Sequence, residues 1–485
     1  MDQNDKTLIK NNKNNKCSKC GITKKIIIST NQLCRKCFAM NSLFINSGNV
    51  NINYLIKESQ FSKKPKHGSP YLEWVPFEEF TNIKKIGQGG FSQIFKATWK
   101  VNVCISYKGT IKRSKREIVL KVLSSSQNVD TGFLNELKNT FQFRDTRYGH
   151  NSIKNIIKCY GVTQDPQTKN YAFILEYAND GDLHHFIHKN FETFTWSDKI
   201  EYLNDVIKGI KYIHDKKIVH RDLHSGNILV NRSKVNNVKI PIISDLGFSQ
   251  PANIDSNLSR ESQIYGIIPY MAPELFKSQP YSYASDIYSL GMIMWELTSG
   301  HRPFHDQEHG PKLILDILDG KRPEITEDTP EWWENLMKRC WNPDPSQRPK
   351  IEEIRFNFNN NELNKAEDKR LEMIKSKKPF VKNPGYEHPN SRYYSISLNS
   401  MLESINSTIS DMFSNNDNLY SNDRFDIMNI NSNQINDLVN SNINGNSNTE
   451  KFRKHFLDEL LEEEIIDQDD FKRRRIAEYF VECFK

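Results

Sequence analysis

No stretch of the 485 residues holds a run of about 18 apolar side chains, so no helix is expected to span a membrane. The N-terminus, MDQNDKTLIKNNKNNK, has no apolar stretch and so no secretory signal. The chain is therefore expected inside the cell, in the cytoplasm, where thiols stay reduced. A dominant charge is also lacking. Lysine plus arginine is 67 and aspartate plus glutamate is 60, and the net +7 is a mild bias that does not by itself imply nucleic acid. No internal repeat is present. The length exceeds one ordinary core, so more than one domain is expected.

Cysteine is sparse, with 8 in all, yet four lie in one short stretch, CSKCGITKKIIISTNQLCRKC. Cys17 and Cys20 form one CxxC and Cys34 and Cys37 a second, with 13 residues between. Two thiolates on a tight turn grip one zinc ion, and a second such turn completes a tetrahedron. Gly21 follows the first pair, where a knuckle turn favours positive φ, and KKIIIST reads as a strand. Structural Zn²⁺ is the expectation. Disulfides, which a reducing compartment disfavours, and chance spacing are the alternatives. Lys19, Lys24, Lys25, Arg35 and Lys36 are basic, but no aromatic–basic nucleic-acid patch accompanies them. A protein partner is the expectation for this module. Cys104, Cys159, Cys340 and Cys483 are scattered and read as buried or idle thiols.

Composition divides the chain. Residues 1–16 are rich in Asn and Lys and read as disordered, 17–40 as the zinc ribbon, and 41–74 as a linker ending near SKKPKHGSP. From 75 to 360 the sequence becomes globular. Strand-like runs come first (FTNIKKIG, SQIFKATWK, REIVLKVL, AFILEYA). Helical ones follow (WSDKIEYLNDVIKGIKYIHDKK, YASDIYSLGMIMWELTSG, EWWENLMKRCW). That order implies an α+β arrangement in two lobes. Residues 361–394 read as a helix and an extended segment. Residues 395–450 read as a disordered Asn/Ser-rich linker, with 14 asparagines between 401 and 450. Residues 451–485 recover helical periodicity (Phe452, Phe456, Leu457, Leu460, Leu461, then Ile476, Tyr479, Phe480), an amphipathic tail suited to docking on a protein partner.

The chemistry lies in the globular part. In IGQGGFSQIFKA, Gly87, Gly89 and Gly90 interrupt two strands, and glycines let backbone amides approach phosphates closely. EIVLKVL places Lys121 in an apolar strand. GFLNELKNTF offers Glu136 on a helix, and a buried lysine paired with a glutamate stays charged and can hold phosphate oxygens. The loop IVHRDLHSGNILV carries Asp222 and Asn227 five residues apart, and PIISDLGFSQ carries Asp245 after an apolar strand. Asn227 and Asp245 are the oxygen ligands Mg²⁺ favours, and Asp222 is placed to accept a proton from a substrate hydroxyl. Taken singly, each of these stretches is also compatible with an ordinary hairpin, edge strand or turn.

In order and spacing these blocks resemble the eukaryotic protein kinases. The resemblance implies a bilobal fold, with a β-rich N-lobe and a helical C-lobe, that uses ATP and Mg²⁺ on protein substrates. It implies a phosphate loop from Ile86, Gly87, Gln88, Gly89, Gly90, Phe91, Ser92, Gln93 and Ile94, with Ser92 where the family has a third glycine. Lys121 pairs with Glu136, Asp222 is the base, and Asn227 and Asp245 bind Mg²⁺. FILEYANDGDL is the hinge. Leu175 guards the back of the pocket, Glu176 and Ala178 present backbone groups to adenine, and Asp182 reaches the ribose. Ile94, Val119 and Leu229 sandwich the ring. Glu274 of PYMAPE, the family's substrate-side block, pairs with Arg348 of SQRP, and Asp286 braces the catalytic loop.

CWNPDPSQRP and SLGMIMWELTSGHRPF resemble the tyrosine kinase and tyrosine-kinase-like groups, while Tyr270 of PYMAPE stands where tyrosine kinases usually carry Trp. His224 replaces the lysine common two residues after the base in serine/threonine kinases, and Ile267 replaces a threonine. The nearest resemblance is to tyrosine-kinase-like serine/threonine kinases, similar to the expanded sets of some fungi, several with a Cys-rich N-terminus. A tyrosine or dual-specificity kinase is the alternative, as is a nucleotide-binding pseudokinase scaffold. Two further features stand out. VNVCISYKGTIKRSKR reads as a solvated insert between two strands, with a charge run at Lys108, Lys112, Arg113, Lys115 and Arg116. The activation segment from Asp245 to Glu274 offers Ser249, Ser256, Ser259, Ser262 and Tyr265 to a phosphate that would offset Arg221.

Overall fold

A computed structural model describes residues 8–10, 16–19, 21, 26–28, 33–34, 37, 41, 44–61, 71–90, 92–104, 111–129, 131–142, 155–232, 237–247, 249–251, 264–356 and 359–414. Two compact units divide the chain, Met1–Pro251 and Ala252–Lys485.

The first unit opens with three short strands, β1 (Leu8–Lys10), β2 (Ile26–Ile28) and β3 (Leu33–Cys34), paired antiparallel in that order. Strand β1 falls in the stretch read as disordered, because its partner lies at 26–28. The supposed linker at 41–74 also contains helix α1 (Val50–Phe61), and β4 (Glu73–Trp74) closes it. The linker reading fails because Ile52 and Ile56, four residues apart on one helix face, are both buried. Then come β5 (Phe80–Gln88), β6 (Ser92–Cys104), β7 (Ile111–Leu123), helix α2 (Thr131–Gln142), β8 (Cys159–Gln164) and β9 (Tyr171–Glu176).

Strands β4 to β9 form a six-stranded sheet of order β4-β8-β9-β7-β6-β5, parallel only between β4 and β8. Side chains alternate between its two faces, as a pleat requires. Ala97, Trp99, Ile118, Leu120, Ala172 and Ile174 pack together on one face. Tyr171 and Phe173 point to the other, where they meet Phe133 and Leu137 of α2 and Ile52 and Ile56 of α1. Gly161 is required where β4 crosses closest, since a Cβ there would lie 2.0 Å from the Glu73 carbonyl oxygen. At both ends the expected solvated insert proves to be strand, β6 and β7 staying paired from Ser92↔Leu123 out to Cys104↔Ile111, while residues 105–110, with Lys108, lie outside the described residues. Arg116 of the charge run lays its guanidinium 4.6 Å from the Tyr160 ring centroid, covering the core rather than projecting as a free basic patch.

The unit continues with helices α3 (Leu183–Asn190) and α4 (Trp196–Asp215), the latter started by a Thr195/Asp198 capping box. Short ladders follow: β10 (Ile218–Val219), β11 (Ile228–Arg232), β12 (Lys239–Ile243) and β13 (Gln250–Pro251), paired β10 with β13 and β11 with β12.

The second unit is helical around α6. It comprises β14 (Tyr265–Gly266), α5 (Pro273–Phe276), α6 (Tyr283–Ser299), α7 (Pro311–Leu318), α8 (Glu331–Cys340), α9 (Asn360–Lys375), β15 (Ile396–Ser397) and α10 (Asn399–Ser414). Helix α6 is buried from Ser285 to Ser299, as a helix apolar on nearly all sides must be. Burial pushes the Cys340 thiol up to about 12, consistent with an idle cysteine. β15 and α10 lie inside the stretch read as a disordered linker. Leu398, Leu402 and Ile405 are buried there, so aliphatic residues set among serines suffice to dock it. The amphipathic tail at 451–485 lies outside the described residues.

Candidate active site

The site is built on two strands, one helix and two loops of the first unit. β7 alternates Ile118 and Leu120 into the core, so Lys121 must face the other way. Its Nζ lies 2.9 Å from Glu136 Oε1 on α2 and 2.7 Å from Asp245 Oδ1. Burial of this ammonium favours its neutral form, but the two carboxylates outweigh that, and its pKa is raised above the usual lysine value. Asp245 is pulled the opposite way. Burial alone would raise it, but the Lys121 charge and hydrogen bond, with the Gly247 N–H, hold it below the ordinary carboxylate value. Burial and the Asp245 charge leave Glu136 raised despite Lys121. Gly247 belongs to this cluster sterically: a Cβ there would sit 3.1 Å from Glu136 Oε2 and 3.2 Å from Asp245 Oδ1.

The loop between β10 and β11 supplies the rest. Asp222 is buried. Asn227 donates through its amide nitrogen to the Asp222 carbonyl at 2.9 Å and to its Oδ2 at 3.2 Å, which turns its amide oxygen away from that carboxylate. The Ser244 N–H and hydroxyl both donate to the Asn227 carbonyl, at 2.8 and 2.9 Å, tying the loop to the residue before Asp245. His220 holds it from below. One ring nitrogen, Nδ1, accepts the Asp222 N–H at 3.3 Å and the other lies 3.0 Å from the Ser244 carbonyl, which assigns the Nε2–H tautomer. Reasoning from sequence missed His220 and Ser244 as supports. The position of His220 two residues before Asp222, in VHRD, was the available signal. Arg221 and Asp245 both have positive φ, 74° and 55°, a local strain that recurs at functional positions. His224 Nε2 lies 3.8 Å from Asp222 Oδ2. Ser249 is buried and donates to the His220 carbonyl at 3.2 Å, a structural bond rather than an exposed phosphate acceptor.

Gly87 and Gln88 pair with Ile94 and Gln93, and the Gly89 N–H donates to Ser92 O at 2.8 Å, closing the glycine turn. Ile86 is exposed, Gly90 lies in the turn, and Phe91 lies outside the described residues. Ile94, Val119 and Leu229 are half-buried and Ala178 is buried, an apolar set of the kind that takes a planar ring. The Glu176 N–H goes to the Lys158 carbonyl at 2.9 Å and its carboxylate to Lys158 Nζ. Leu175 packs into the cluster with Phe133 and Phe173. Asp182 has a use not anticipated: its carboxylate caps α3, taking the His185 N–H at 2.9 Å and His185 Nδ1 at 2.6 Å.

Two further groupings stand apart. Cys17, Cys34 and Cys37 are buried with their sulfurs within 4.8 Å of one another. Cys17 Sγ accepts the Cys34 N–H at 3.2 Å, Gly21 has φ 67°, and Cys20 lies outside the described residues. In the second unit, Arg348 forks onto Glu274 with both contacts at 2.7 Å, and the Tyr270 hydroxyl donates to Glu296 at 2.7 Å. Among the described residues no helix is long and apolar enough to cross a membrane.

Residues 80–358 match the family model for protein tyrosine and serine/threonine kinase. The chain is similar to a probable serine/threonine-protein kinase of Dictyostelium discoideum, 28% identical over 305 residues, covering 60% of this chain and 15% of that protein. It is similar to the probable serine/threonine-protein kinase pats1 of the same organism, 28% identical over 289 residues, covering 58% of this chain and 8% of that protein. It is also similar to human mitogen-activated protein kinase kinase kinase 7, 28% identical over 290 residues, 58% of this chain and 42% of that protein. The chain thus spans less than half the length of each of these relatives.

Proposed function

The chain belongs to the protein tyrosine and serine/threonine kinase family, and from that premise we propose that it transfers the γ-phosphoryl group of ATP to serine and threonine hydroxyls of proteins, within the tyrosine-kinase-like group. The observation that carries this is the Lys121–Glu136–Asp245 cluster with Asp222 and Asn227 on one loop. The names of the relatives and Tyr270 support serine/threonine over tyrosine.

The residues fit the groups such a reaction needs. Asn227 and Asp245 offer hard oxygen donors of the type Mg²⁺ takes. Bound there, the metal ion would neutralise charge on the phosphates. Lys121, kept charged by its two carboxylates, would hold phosphate oxygens, and Glu136 would fix its position. Backbone groups of Gly87–Ile94 would lie over the phosphates, with Ile94, Val119, Ala178 and Leu229 around the base. Asp222 would orient the substrate hydroxyl and take its proton. Asn227 holds that carboxylate in place. His224 stands where a lysine would otherwise touch the phosphate, so this chain forgoes one cationic contact there. Asp182 would have to share its carboxylate with the α3 cap to reach a ribose.

The test is transfer from labelled ATP with Asp222→Asn as the control. Nucleotide affinity should stay nearly unchanged while transfer falls roughly 10²- to 10⁴-fold. Equal turnover in variant and parent would remove Asp222 as the base. A parent that binds nucleotide and transfers nothing would make the chain a scaffold instead.

The Cys17, Cys34 and Cys37 cluster supports a structural Zn²⁺ site completed by Cys20, with the module serving a protein partner inside the cell. Metal analysis of the full chain purified under reducing conditions should give one zinc. Chelation should loosen residues 17–40 and spare the kinase domain, and protein that holds no metal rejects the site.

A further inference from the structure

After α9 the chain passes from Ser376 to Ser395 through a series of turns and bends, bonded to the loop that follows α6. The His388 N–H donates to His305 O at 2.8 Å, and the Asn390 amide to Glu308 Oε1 at 2.7 Å. The Tyr393 hydroxyl donates to Pro303 O at 3.0 Å, under the Arg302 guanidinium 4.6 Å from its ring centroid. The strap then pairs as β15 with β14, Tyr265↔Ser397 and Gly266↔Ile396. Two more bonds extend the ladder: the Leu398 N–H donates to Ile264 O at 2.9 Å, and Asn399 Oδ1 accepts the Ile264 N–H at 2.8 Å. Beyond it Leu398, Leu402 and Ile405 are buried, and α10 packs against α7.

The segment so held, Ile264–Gly266, leads directly into Ile267–Tyr270 and the PYMAPE block. A two-residue strand has little stability alone. Its order here comes from the strap on one side and from the Tyr281 hydroxyl on the Tyr265 carbonyl, at 2.7 Å.

We propose that Ile396–Asn399 is a positioning element for the protein substrate, fixing the backbone of Ile264–Gly266 so that the block after it presents one substrate-binding shape. This rests on the kinase reading above. The ordering a kinase can obtain from a phosphate on its activation segment is supplied, at this end of the segment, by the chain's own strap. Deep anchorage argues for a fixed clamp over a displaceable blocker: the strap is held before β15 by Tyr393 and after it by three buried aliphatic side chains.

The experiment compares full-length Asn399→Ala and Asn399→Asp with the parent, using a serine peptide that the parent selects from a peptide array. In Asn399→Ala the peptide KM should rise roughly 2- to 10-fold, the worth of one ordinary hydrogen bond, while the ATP KM stays unchanged. Amide exchange at 264–266 should accelerate. Asn399→Asp should restore both, because a carboxylate oxygen accepts the same N–H. An unchanged peptide KM overturns the proposal. A lowered one does too, and makes the strap a competitor of substrate. If the parent transfers no phosphate, the kinase reading fails by itself, and exchange at 264–266 alone decides whether Asn399 pins the segment: equal exchange in variant and parent overturns that too.

Discussion

Replacing Arg348 by Met should cost the second unit about 3–5 kcal/mol, the usual consequence of removing one partner of a buried ion pair. The side chain of Arg348 is fully buried and that of Glu274 is 7% exposed. The two guanidinium contacts to Glu274 are only part of the loss. Arg348 also donates to Asn342 O at 2.8 Å, Ala284 O at 2.9 Å and Pro343 O at 3.3 Å. Methionine fills the volume but satisfies none of these acceptors, and a buried acceptor without a donor costs roughly 1–3 kcal/mol before relaxation. Adding those costs to the ion-pair loss overshoots, because water and local movement reclaim some bonds, so about 3–5 kcal/mol remains the figure to expect. At roughly 2–4 °C per kcal/mol for a unit of this size, the melting point should fall by about 6–20 °C. Urea unfolding of the full chain measures the loss directly, as a shift in midpoint at unchanged slope. Adding Glu274→Leu to Arg348→Met should recover part of it, since no carboxylate then remains buried alone, and the three carbonyls set how much does not return. A loss below about 1 kcal/mol, or a double variant as unstable as the sum of the singles, would refute the view that the pair is buried and coupled.

Ile56→Ala should destabilise the first unit by about 2–5 kcal/mol, because Ile56 is 1% exposed against α2 and the sheet. It should also speed amide exchange in Thr131–Gln142, which carries Glu136, and a loss confined to α1 would show that this helix does not support α2. His309 should make the second unit sensitive to acid. Burial lowers its pKa; hydrogen bonds to backbone and the Glu387 charge oppose that, and His388 adds to it. Nδ1 lies 3.0 Å from both the Arg392 N–H and the Arg392 carbonyl, and Nε2 lies 3.2 Å from Phe304 O, so the two carbonyls offset only part of the burial cost of a second ring proton. A folded pKa below the unfolded value means that stability is present above the ordinary histidine pKa, about 6.5, and is lost as pH falls through the folded value. Urea midpoints compared at pH 7.5 and pH 5.5, conditions chosen to bracket about 6.5, should therefore drop more in the parent than in His309→Gln. Equal drops would clear His309 of the effect.

The sequence by itself determined whatever depends on neighbours a few residues apart. Period-2 alternation put Ile118 and Leu120 on one face of a strand and Lys121 on the other. Helical spacing put Phe133 and Leu137 together and left Glu136 beside them. Asp222 and Asn227 share one loop, so their proximity needed no knowledge of the rest of the chain. Their order matched a family whose partners are far apart in sequence, which is how the Lys121–Glu136 and Glu274–Arg348 pairs could be anticipated. Only the tertiary structure decided what polar, low-complexity stretches do. Residues 41–74 are rich in Asn, Ser and Lys, and 395–414, rich in Ser, open an Asn/Ser-rich stretch, so composition alone reads both as solvent-borne. Particular residues in them find partners that local pattern cannot reveal: Ile52 and Ile56 meet α2 and the sheet, and the Asn399 amide meets Ile264, 135 residues away. A hydrogen bond or a buried contact across such a distance depends on where the fold has already brought the backbone, and no periodicity within either segment records it.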